Sequence, residues 1–289
     1  MLVGAAANSL EISVAVFVGH IYVTKLLILD LSLGFHASDN MIHLARVFQA
    51  LSDCCKDLKT YYETVFSPLS ASFQLFSLFP NPTLVDPSKV LPKLTYLQFL
   101  SRVGRPIASL VNLRNKASAM YTATLSATNH KVIVKFTARY NELAHRLLAD
   151  AQLAPTLHFC ERVIGGLYMV VMDLVDGKSV WKLQNDNEPV PEIVLKQVEE
   201  AICLLHSKNI VFGDLRIPNI LYVASKDSGK GHAVLVDFDW AGEDGKSRYP
   251  ASLNTDLRWA EEVVPYGIMR KAHDLWQLER LIRVFKTDA

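Results

Sequence analysis

Hydrophobic and polar positions divide the chain into two regions that predict different elements. An apolar, β-branched opening predicts two or three strands over about 10–34. Apolar residues then recur at three- and four-residue steps behind the helix N-cap sequence SDN, which predicts one helix over about 40–63. Five prolines over 66–92 predict an irregular segment. We therefore expect a domain boundary near residue 88.

The region after this boundary predicts short strands and amphipathic helices. The expected strands cover 107–113, 119–127, 131–136, 156–163, 167–174, 210–211, 220–223 and 233–236. The expected helices cover about 140–152 and 189–208, and a last helix opens near residue 273. Residues 1–88 are therefore predicted to be an extension of strands plus one helix, and residues 89–289 a larger mixed domain.

Composition excludes several classes of protein. Half of the 289 residues are apolar and the net charge is only +1, which excludes a disordered chain and a strongly basic or acidic one. The 4 cysteines lack CxxC or zinc spacing and are too few for a disulfide scaffold. Within the first thirty-five residues, the longest run without a formal charge, 12–24, is too short to span a bilayer, and no leader pattern surrounds it. We expect a soluble, cytoplasmic protein without membrane contact.

Charge is distributed unevenly along the chain. The 55 residues over 87–141 hold no acidic side chain but nine Lys and Arg. Such a one-signed patch on a neutral protein is typical of a site for a polyanion, for example nucleotide phosphates or RNA. It is equally typical of a solvated basic face, so charge alone leaves the ligand open.

Two short segments carry the candidate chemistry. The sequences VFGDLRIPNIL over 211–221 and VLVDFD over 234–239 set acids and an amide beside short apolar strands. Asp214 and Asn219 are five residues apart, and Asp237 follows Asp214 by 23. An Asp and an Asn supply the oxygen ligands that Mg²⁺ takes together with substrate phosphates. A second Asp is then free to accept a proton from a hydroxyl nucleophile.

These segments resemble motifs of protein kinases. Residues 212–219 resemble the catalytic loop H-R-D-L-x-x-x-N, and DFD over 237–239 resembles D-F-G. In the same order, VIVK over 132–135 resembles V-A-I-K, MVVMDLVDG over 169–177 is similar to the strand and hinge that contact adenine, and HDLW over 273–276 resembles the start of the helix beneath the catalytic loop. The resemblance covers about 95–289. The sequences GDLRxPN and DFDWAG also resemble segments of divergent fungal kinase-like proteins.

The resemblance implies a fold, two cofactors and a set of catalytic residues. The fold would be α+β, a two-lobed protein-kinase-like fold with a shortened C-terminal lobe behind an N-terminal strand–helix extension. The cofactors would be ATP and Mg²⁺. Asp214 would accept the substrate proton and Arg216 would lie near the transferred phosphate. Asn219 and Asp237 would hold Mg²⁺.

The resemblance also implies how the nucleotide is held. Lys135 would anchor its phosphates, and Glu142 on the following helix would orient that lysine through an ion pair. The other nucleotide-binding residues would be Met172, Asp173, Val175 and Leu221.

Several positions depart from the family pattern. Leu113, Asn115 and Ser118 stand where the glycine-rich loop has glycines, and side chains there restrict the approach of backbone to phosphate. Phe212 replaces the histidine of the catalytic loop, and Asp239 replaces the last glycine of D-F-G. These losses leave it open whether the chain turns over nucleotide.

Three functions therefore stay open. The first is phosphoryl transfer to a hydroxyl, foremost on protein Ser or Thr. The second is a pseudokinase scaffold that binds nucleotide without turnover. The third is a small-molecule phosphotransferase, which the pair Gly213-Asp214 resembles. The expected partner is a protein or small-molecule substrate with a hydroxyl, with no nucleic acid, and the sequence leaves the oligomeric state open.

Overall fold

The computed structural model is described in segments that fall into two compact units. The described residues are 2–6, 9–17, 21–30, 37–65, 79–100, 106–107, 118–225, 229, 231–251, 253–254 and 256–287. Met1–Asn81 with Ala108–Lys116 forms the first unit, and Pro82–Ile107 with Ala117–Ala289 forms the second.

The first unit contains an antiparallel sheet and a long helix. Its described strands are β1 Leu2–Ala6, β2 Ser9–Phe17 and β3 Ile21–Asp30, with β2 in the centre, and its helix is α1 Ala37–Val65. Leu10 and Ile12, two residues apart on β2, are both buried, as expected for one face of a strand. The predicted strands and helix are confirmed, and the first strand begins earlier than expected. Among the described helices, none has the length and apolar character needed to cross a membrane.

The second unit is built on a wholly antiparallel sheet. Its described strands are β4 Leu94–Leu100, β5 Pro106–Ile107, β6 Ser118–Leu125, β7 Lys131–Thr137, β8 Leu157–Val163 and β9 Leu167–Asp173. They lie in the order β5-β4-β6-β7-β9-β8. The short turn between β6 and β7 includes Asn129 at φ 56°, a left-handed conformation that Asn tolerates well.

Strand β4 is the longest described strand that the sequence pattern did not predict. It pairs with β6 across an irregularity in register between Tyr96 and Gln98, and Leu97 beside it is 48% exposed. The alternation of apolar and polar positions is broken there, so the two-residue period that predicts a strand is not visible in the sequence. Of the strand predicted over 107–113, only residue 107 lies among the described residues, as the last residue of β5.

Helices and two small sheets complete the second unit. The helices are α2 Glu142–Asp150, α3 Val180–Asn185, α4 Glu192–Ser207 and α5 Lys271–Thr287. One small sheet has the order β10-β12-β13, with β10 Lys178–Ser179, β12 Ile220–Val223 and β13 His232–Leu235. The other pairs β11 Ile210–Val211 with β14 Gly242–Glu243. One hydrophobic core joins α2, α4 and β13. The described elements are mixed α+β as predicted, and the helices that were predicted have bounds within about three residues of expectation. Helix α3 was not predicted.

The proline-rich segment before β4 runs along the edge of the large sheet. Leu84 forms an isolated antiparallel bridge with Val163 of β8, and the backbone N–H of Ile164 donates to the carbonyl oxygen of Thr83 at 2.8 Å. Because β8 is the outer strand, this segment covers part of an otherwise unpaired edge. The predicted irregular structure is confirmed for 79–92, whereas 66–78 lies outside the described residues.

Candidate active site

Strand pairing brings the two candidate motifs together. β11 leads into the loop that carries Asp214, a 3₁₀ turn covers Ile217–Asn219, and β12 then pairs with β13. Beyond the last strand pair, the backbone N–H of Val236 donates to the carbonyl oxygen of Asn219 at 3.0 Å. Asp237 therefore follows directly after a residue that is bonded to Asn219.

Asp274 holds the loop that carries Asp214. Its buried carboxylate accepts the backbone N–H groups of Phe212 at 2.7 Å and Gly213 at 2.9 Å, and it lies 3.0 Å from Nε2 of His206. Gly213 has a φ of +81°, which favours glycine at this position. The predicted role of the HDLW segment beneath the loop is confirmed, because two charge-assisted hydrogen bonds from α5 fix the loop backbone.

Lys135 on β7 binds two carboxylates at once. Its Nζ lies 2.7 Å from Oδ1 of Asp237 and 2.7 Å from Oδ1 of Asp239. The other oxygen of Asp239 accepts the hydroxyl of Thr137 at 2.7 Å. Only 5% of the Lys135 side chain is exposed, compared with 40% of Asp237. We call Lys135, Asp237 and Asp239 the ion cluster.

The three charges of the ion cluster shift one another's pKa values. Burial acts to lower the pKa of Lys135, but the two carboxylates outweigh it and the pKa is raised. Burial acts to raise the pKa of Asp237, but the adjacent ammonium outweighs it and the pKa is lowered. Burial and the charge of Asp237 together raise the pKa of Asp239 to about 6. Asp239 is therefore the carboxylate of the pair that protonates first as the pH falls.

Asp214 is held by a bidentate ion pair and an amide. The guanidinium of Arg216 donates from Nε to Oδ1 and from Nη2 to Oδ2, the latter at 2.7 Å. The amide nitrogen of Asn219 donates to Oδ2 at 2.8 Å and to the backbone oxygen of Asp214 at 2.9 Å. Asp214, Arg216 and Asn219 are thus brought into direct contact.

Burial dominates the acidity of Asp214. It raises the pKa to about 6, against the lowering by Arg216, and the negative charge of Asp237 raises the pKa further. The charge of Asp237 in the ion cluster therefore influences the protonation of Asp214. A carboxylate that titrates near neutrality is suited to accept a proton from a hydroxyl.

Phe238, between the two acids of DFD, lies in a column of rings. It is fully buried, stacks on His145 of α2 with centroids 4.6 Å apart, and meets Phe212 edge-on at 5.6 Å. His145 also contacts the hydroxyl of Tyr140 at 2.6 Å and the carbonyl oxygen of Pro155 at 2.8 Å. Burial lowers the pKa of His145 to about 4. Phe212 therefore serves as an apolar anchor between the two motifs.

The predicted ion pair between Lys135 and Glu142 is wrong. Oε1 of Glu142 lies 2.7 Å from Nε of Arg146, one turn along α2, and both side chains are nearly half exposed. Glu142 is the first residue of α2, directly after the N-cap Asn141. An acid in the first helical turn with a base four residues on forms a local pair. Asp237 and Asp239 take the place at Lys135 that was assigned to Glu142.

Comparisons with known proteins set this geometry in context. No protein-family model matches the chain. Serine/threonine-protein kinase Sgk1-B of Xenopus laevis is 30% identical over 149 residues, which cover 49% of this chain and 33% of that protein. Human Sgk1 is 29% identical over 184 residues, covering 61% and 41%. Serine/threonine-protein kinase sid1 of Schizosaccharomyces pombe is 31% identical over 121 residues, covering 40% and 25%.

The chain is related to the protein kinase superfamily. This kinase-like chain spans less than half the length of each of the three relatives. Among solved structures, the Cydia pomonella granulovirus kinase PK-1 matches with a TM-score of 0.47 and 18% identity, over 64% of this chain and 67% of that one.

Two of the predicted adenine contacts of this kinase-like chain, Met172 and Asp173, lie on opposite faces of the large sheet. Met172 is paired with Ile133, two residues before Lys135, so its side chain shares a face with that lysine. Asp173 points to the other face, where its carboxylate lies 2.6 Å from Nε2 of His158. Val175 follows β9 and Leu221 lies on β12, and both are half-buried.

The donors beside Asp237 fit a hard divalent cation. The amide nitrogen of Asn219 is committed to Asp214, so the amide oxygen is the atom that can be a ligand. Asp237 is ionised and 40% exposed, which leaves part of its carboxylate open. Carboxylate and amide oxygens are the ligands that Mg²⁺ prefers, so these residues fit the metal that the sequence predicted.

The sequence did not predict a contact in the site for two residues. Thr137 fixes the second oxygen of Asp239, and His145 stacks on Phe238. Their contact partners lie about a hundred residues away along the chain, so no local pattern signals either contact. The second acid of DFD was the available sign that a further carboxylate stands near the metal ligand.

Proposed function

We propose that this kinase-like chain catalyses ATP- and Mg²⁺-dependent phosphoryl transfer to a hydroxyl group, foremost that of a protein Ser or Thr. The observation that carries the proposal is the contact of Lys135 with Asp237, next to the bonded pair of Asp214 and Asn219. A cation, a proton acceptor and two oxygen donors in one site are the parts that phosphoryl transfer needs.

Each side chain has a task in this proposal. Lys135 binds the α- and β-phosphate oxygens through an ammonium that its two carboxylates keep charged. Asn219 and Asp237 hold Mg²⁺, which when bound neutralises charge on the phosphate oxygens. The backbone that follows Met172, with Val175 and Leu221, contacts adenine.

The proton of the acceptor hydroxyl moves to Asp214. A carboxylate oxygen of Asp214 orients the hydroxyl and accepts its proton as the hydroxyl oxygen bonds to the γ-phosphorus. The bond between that phosphorus and the bridging oxygen breaks, and ADP leaves with this oxygen. Arg216 fixes the plane of this carboxylate through two parallel hydrogen bonds, and its positive charge lies where the transferred phosphoryl group carries negative charge. The chemistry is therefore mostly positioning and charge neutralisation.

We also propose the domain division and the finer fold assignment. Residues 1–88 form an N-terminal extension, and residues 89–289 form a two-lobed kinase-like domain with a shortened C-terminal lobe. The motifs GDLRxPN and DFDWAG support a relationship to divergent fungal kinase-like proteins.

The test is transfer of a γ-phosphate label from ATP by the full chain with Mg²⁺, to protein acceptors and, in parallel, to small-molecule alcohols. We expect Asp214→Asn to lower the rate by roughly 10²–10³-fold while nucleotide binding persists, because the lost group acts only on the acceptor. Asp256→Asn, at an exposed position, is the matched control. Equal rates in Asp214→Asn and in the unaltered chain would refute the assignment.

A nucleotide-binding scaffold without turnover is the second candidate. The observation in its favour is that the reactive groups already have partners: Lys135 holds two carboxylates, and both oxygens of Asp214 are bonded to Arg216. On this alternative, Mg-ATP stabilises the fold but no label reaches any acceptor. Label on small alcohols alone would instead identify a small-molecule phosphotransferase.

A further inference from the structure

Two histidines and a carboxylate converge at one end of the large sheet, on the face opposite Lys135. The candidate ligand atoms of His130, His158 and Asp173 all lie within 4.8 Å of one another. Oδ1 of Asp173 lies 2.6 Å from Nε2 of His158 and 3.8 Å from Nδ1 of His130. Among the described residues, this is the group of His, Cys, Asp or Glu side chains whose spacing suits a metal ion.

The sheet holds the three residues in place. Asp173 is the last residue of β9 and pairs with Val132, two residues after His130. Its backbone N–H donates to the carbonyl oxygen of Thr156 at 3.0 Å, just before His158 on β8. The carbonyl oxygen of His130 accepts the N–H of Leu125 at 2.9 Å, which closes the β6–β7 turn. Three neighbouring strand ends therefore each contribute one side chain.

The donor set selects a class of metal. Two imidazoles and one carboxylate are typical ligands of Zn²⁺ and related transition metals, whereas Mg²⁺ prefers oxygen alone. Tetrahedral bonds of about 2 Å need ligand atoms roughly 3.3 Å apart. His130, at 3.8 Å from Asp173, therefore has to approach, and the 2.6 Å contact between His158 and Asp173 has to lengthen as the ion enters. The His130 side chain is 66% exposed, so little packing opposes such a rotation. Three protein ligands leave a fourth position for water.

We propose that His130, His158 and Asp173 form a binding site for a divalent transition-metal ion such as Zn²⁺. The bound ion joins the β6–β7 turn to β8 and β9. This site is separate from the Mg²⁺ site proposed above, because Asp173 points away from the face that carries Lys135.

The test is a titration of the metal-free full chain with Co²⁺, followed by its visible absorption, and competition with Zn²⁺. We expect one equivalent to bind, and His158→Ala to weaken binding at least tenfold. His232→Ala, an exposed histidine on β13, is the matched control and should bind as the unaltered chain does. Far-UV circular dichroism checks that each variant is folded.

A second variant guards against misfolding of His158→Ala. His130 is exposed, so His130→Ala should leave the fold intact and still weaken Co²⁺ binding at least tenfold. Asp256→Asn, at an exposed position outside both proposed metal sites, should leave Co²⁺ binding unchanged. Absence of saturable binding, or equal binding in His130→Ala and the unaltered chain, overturns the proposal and leaves an ordinary His–Asp ion pair.

Discussion

The Nζ atom of Lys135 lies 2.7 Å from a carboxylate oxygen of Asp237, a residue 102 positions further along the chain. The lysine is on the large sheet and the acid follows β13, so the contact joins two separate sheets of the second unit. Asp239 is the second partner, so one ammonium group binds two carboxylates in the ion cluster. Its stability and its ligand binding can be tested separately.

Lys135→Met should destabilise the fold in a pH-dependent way. The substitution leaves two adjacent carboxylates without their cation, which costs about 2 kcal/mol at pH 8, less than for a fully buried pair because Asp237 is 40% exposed. At pH 5 the loss should be smaller, because protonation of Asp239, whose pKa is already about 6, relieves the repulsion. Urea unfolding at both pH values measures this, with exposed Lys196→Met as control. An equal loss at both pH values would contradict the electrostatic account.

Asp274→Asn should loosen the loop that carries Asp214. The amide that replaces the carboxylate is neutral and accepts through one oxygen only. One of the N–H groups of Phe212 and Gly213 therefore loses its acceptor, and the other keeps an uncharged one. We expect a loss of about 2–3 kcal/mol in the free energy of unfolding. Asp256→Asn, at an exposed position, controls for the change in net charge. Similar stabilities of the two variants would show that α5 does not support the loop.

Gly213→Ala should cost more than Gly166→Ala. The two glycines have φ values of +81° and +80°, so the backbone strain of an added Cβ is the same at both. A Cβ at Gly166 meets open space, whereas at Gly213 it collides with the end of the fully buried Met269 side chain. The difference in unfolding free energy should be about 1–3 kcal/mol. Equal effects would mean that the loop moves away from Met269 freely.

His145 should make stability depend on pH. In the folded protein its pKa is about 4, whereas the unfolded imidazole has a value of 6.5. Between these values the unfolded chain binds more protons, so this histidine lowers stability as the pH falls, by about 3 kcal/mol in all. The raised pKa values of Asp214 and Asp239 act in the opposite direction over part of this range.

The variant His145→Leu isolates this contribution. It loses the contacts to Tyr140 and Pro155 at every pH but no longer titrates. The stability advantage of the unaltered chain over the variant should therefore shrink by about 3 kcal/mol between pH 7 and pH 4. A constant difference across this range would show that His145 is not buried in the neutral form.

The sequence predicted elements best where one period persisted over many residues. Helix α4 was expected over 189–208 and covers 192–207, because its apolar stripe is continuous. Strand β4 was missed because its alternation is interrupted beside Leu97 and because 17 residues separate it along the chain from its partner β6. Such strands form because they pair with a strand that is distant along the chain, and the local pattern of apolar residues carries no information on that pairing.

The same dependence on long-range contacts explains why the predicted partner of Lys135 was wrong. The motifs predicted that Asp214 and Asn219 would be close, which their five-residue spacing in a tight turn enforces. The partner of Lys135 was assigned to Glu142 by analogy, but a helix N-terminus and Arg146 hold that acid locally. Asp239 reaches the lysine only through the fold, 104 residues on.

Thermal melting with and without Mg-ATP tests the central claim most directly. If Lys135, Asn219 and Asp237 bind a magnesium nucleotide, Mg-ATP at a hundred times its dissociation constant should stabilise the unaltered chain by about 2.7 kcal/mol. ATP without Mg²⁺ should stabilise it less, and Asp237→Asn should lose most of the effect. No shift with Mg-ATP, or the same shift in Asp237→Asn, would contradict the account.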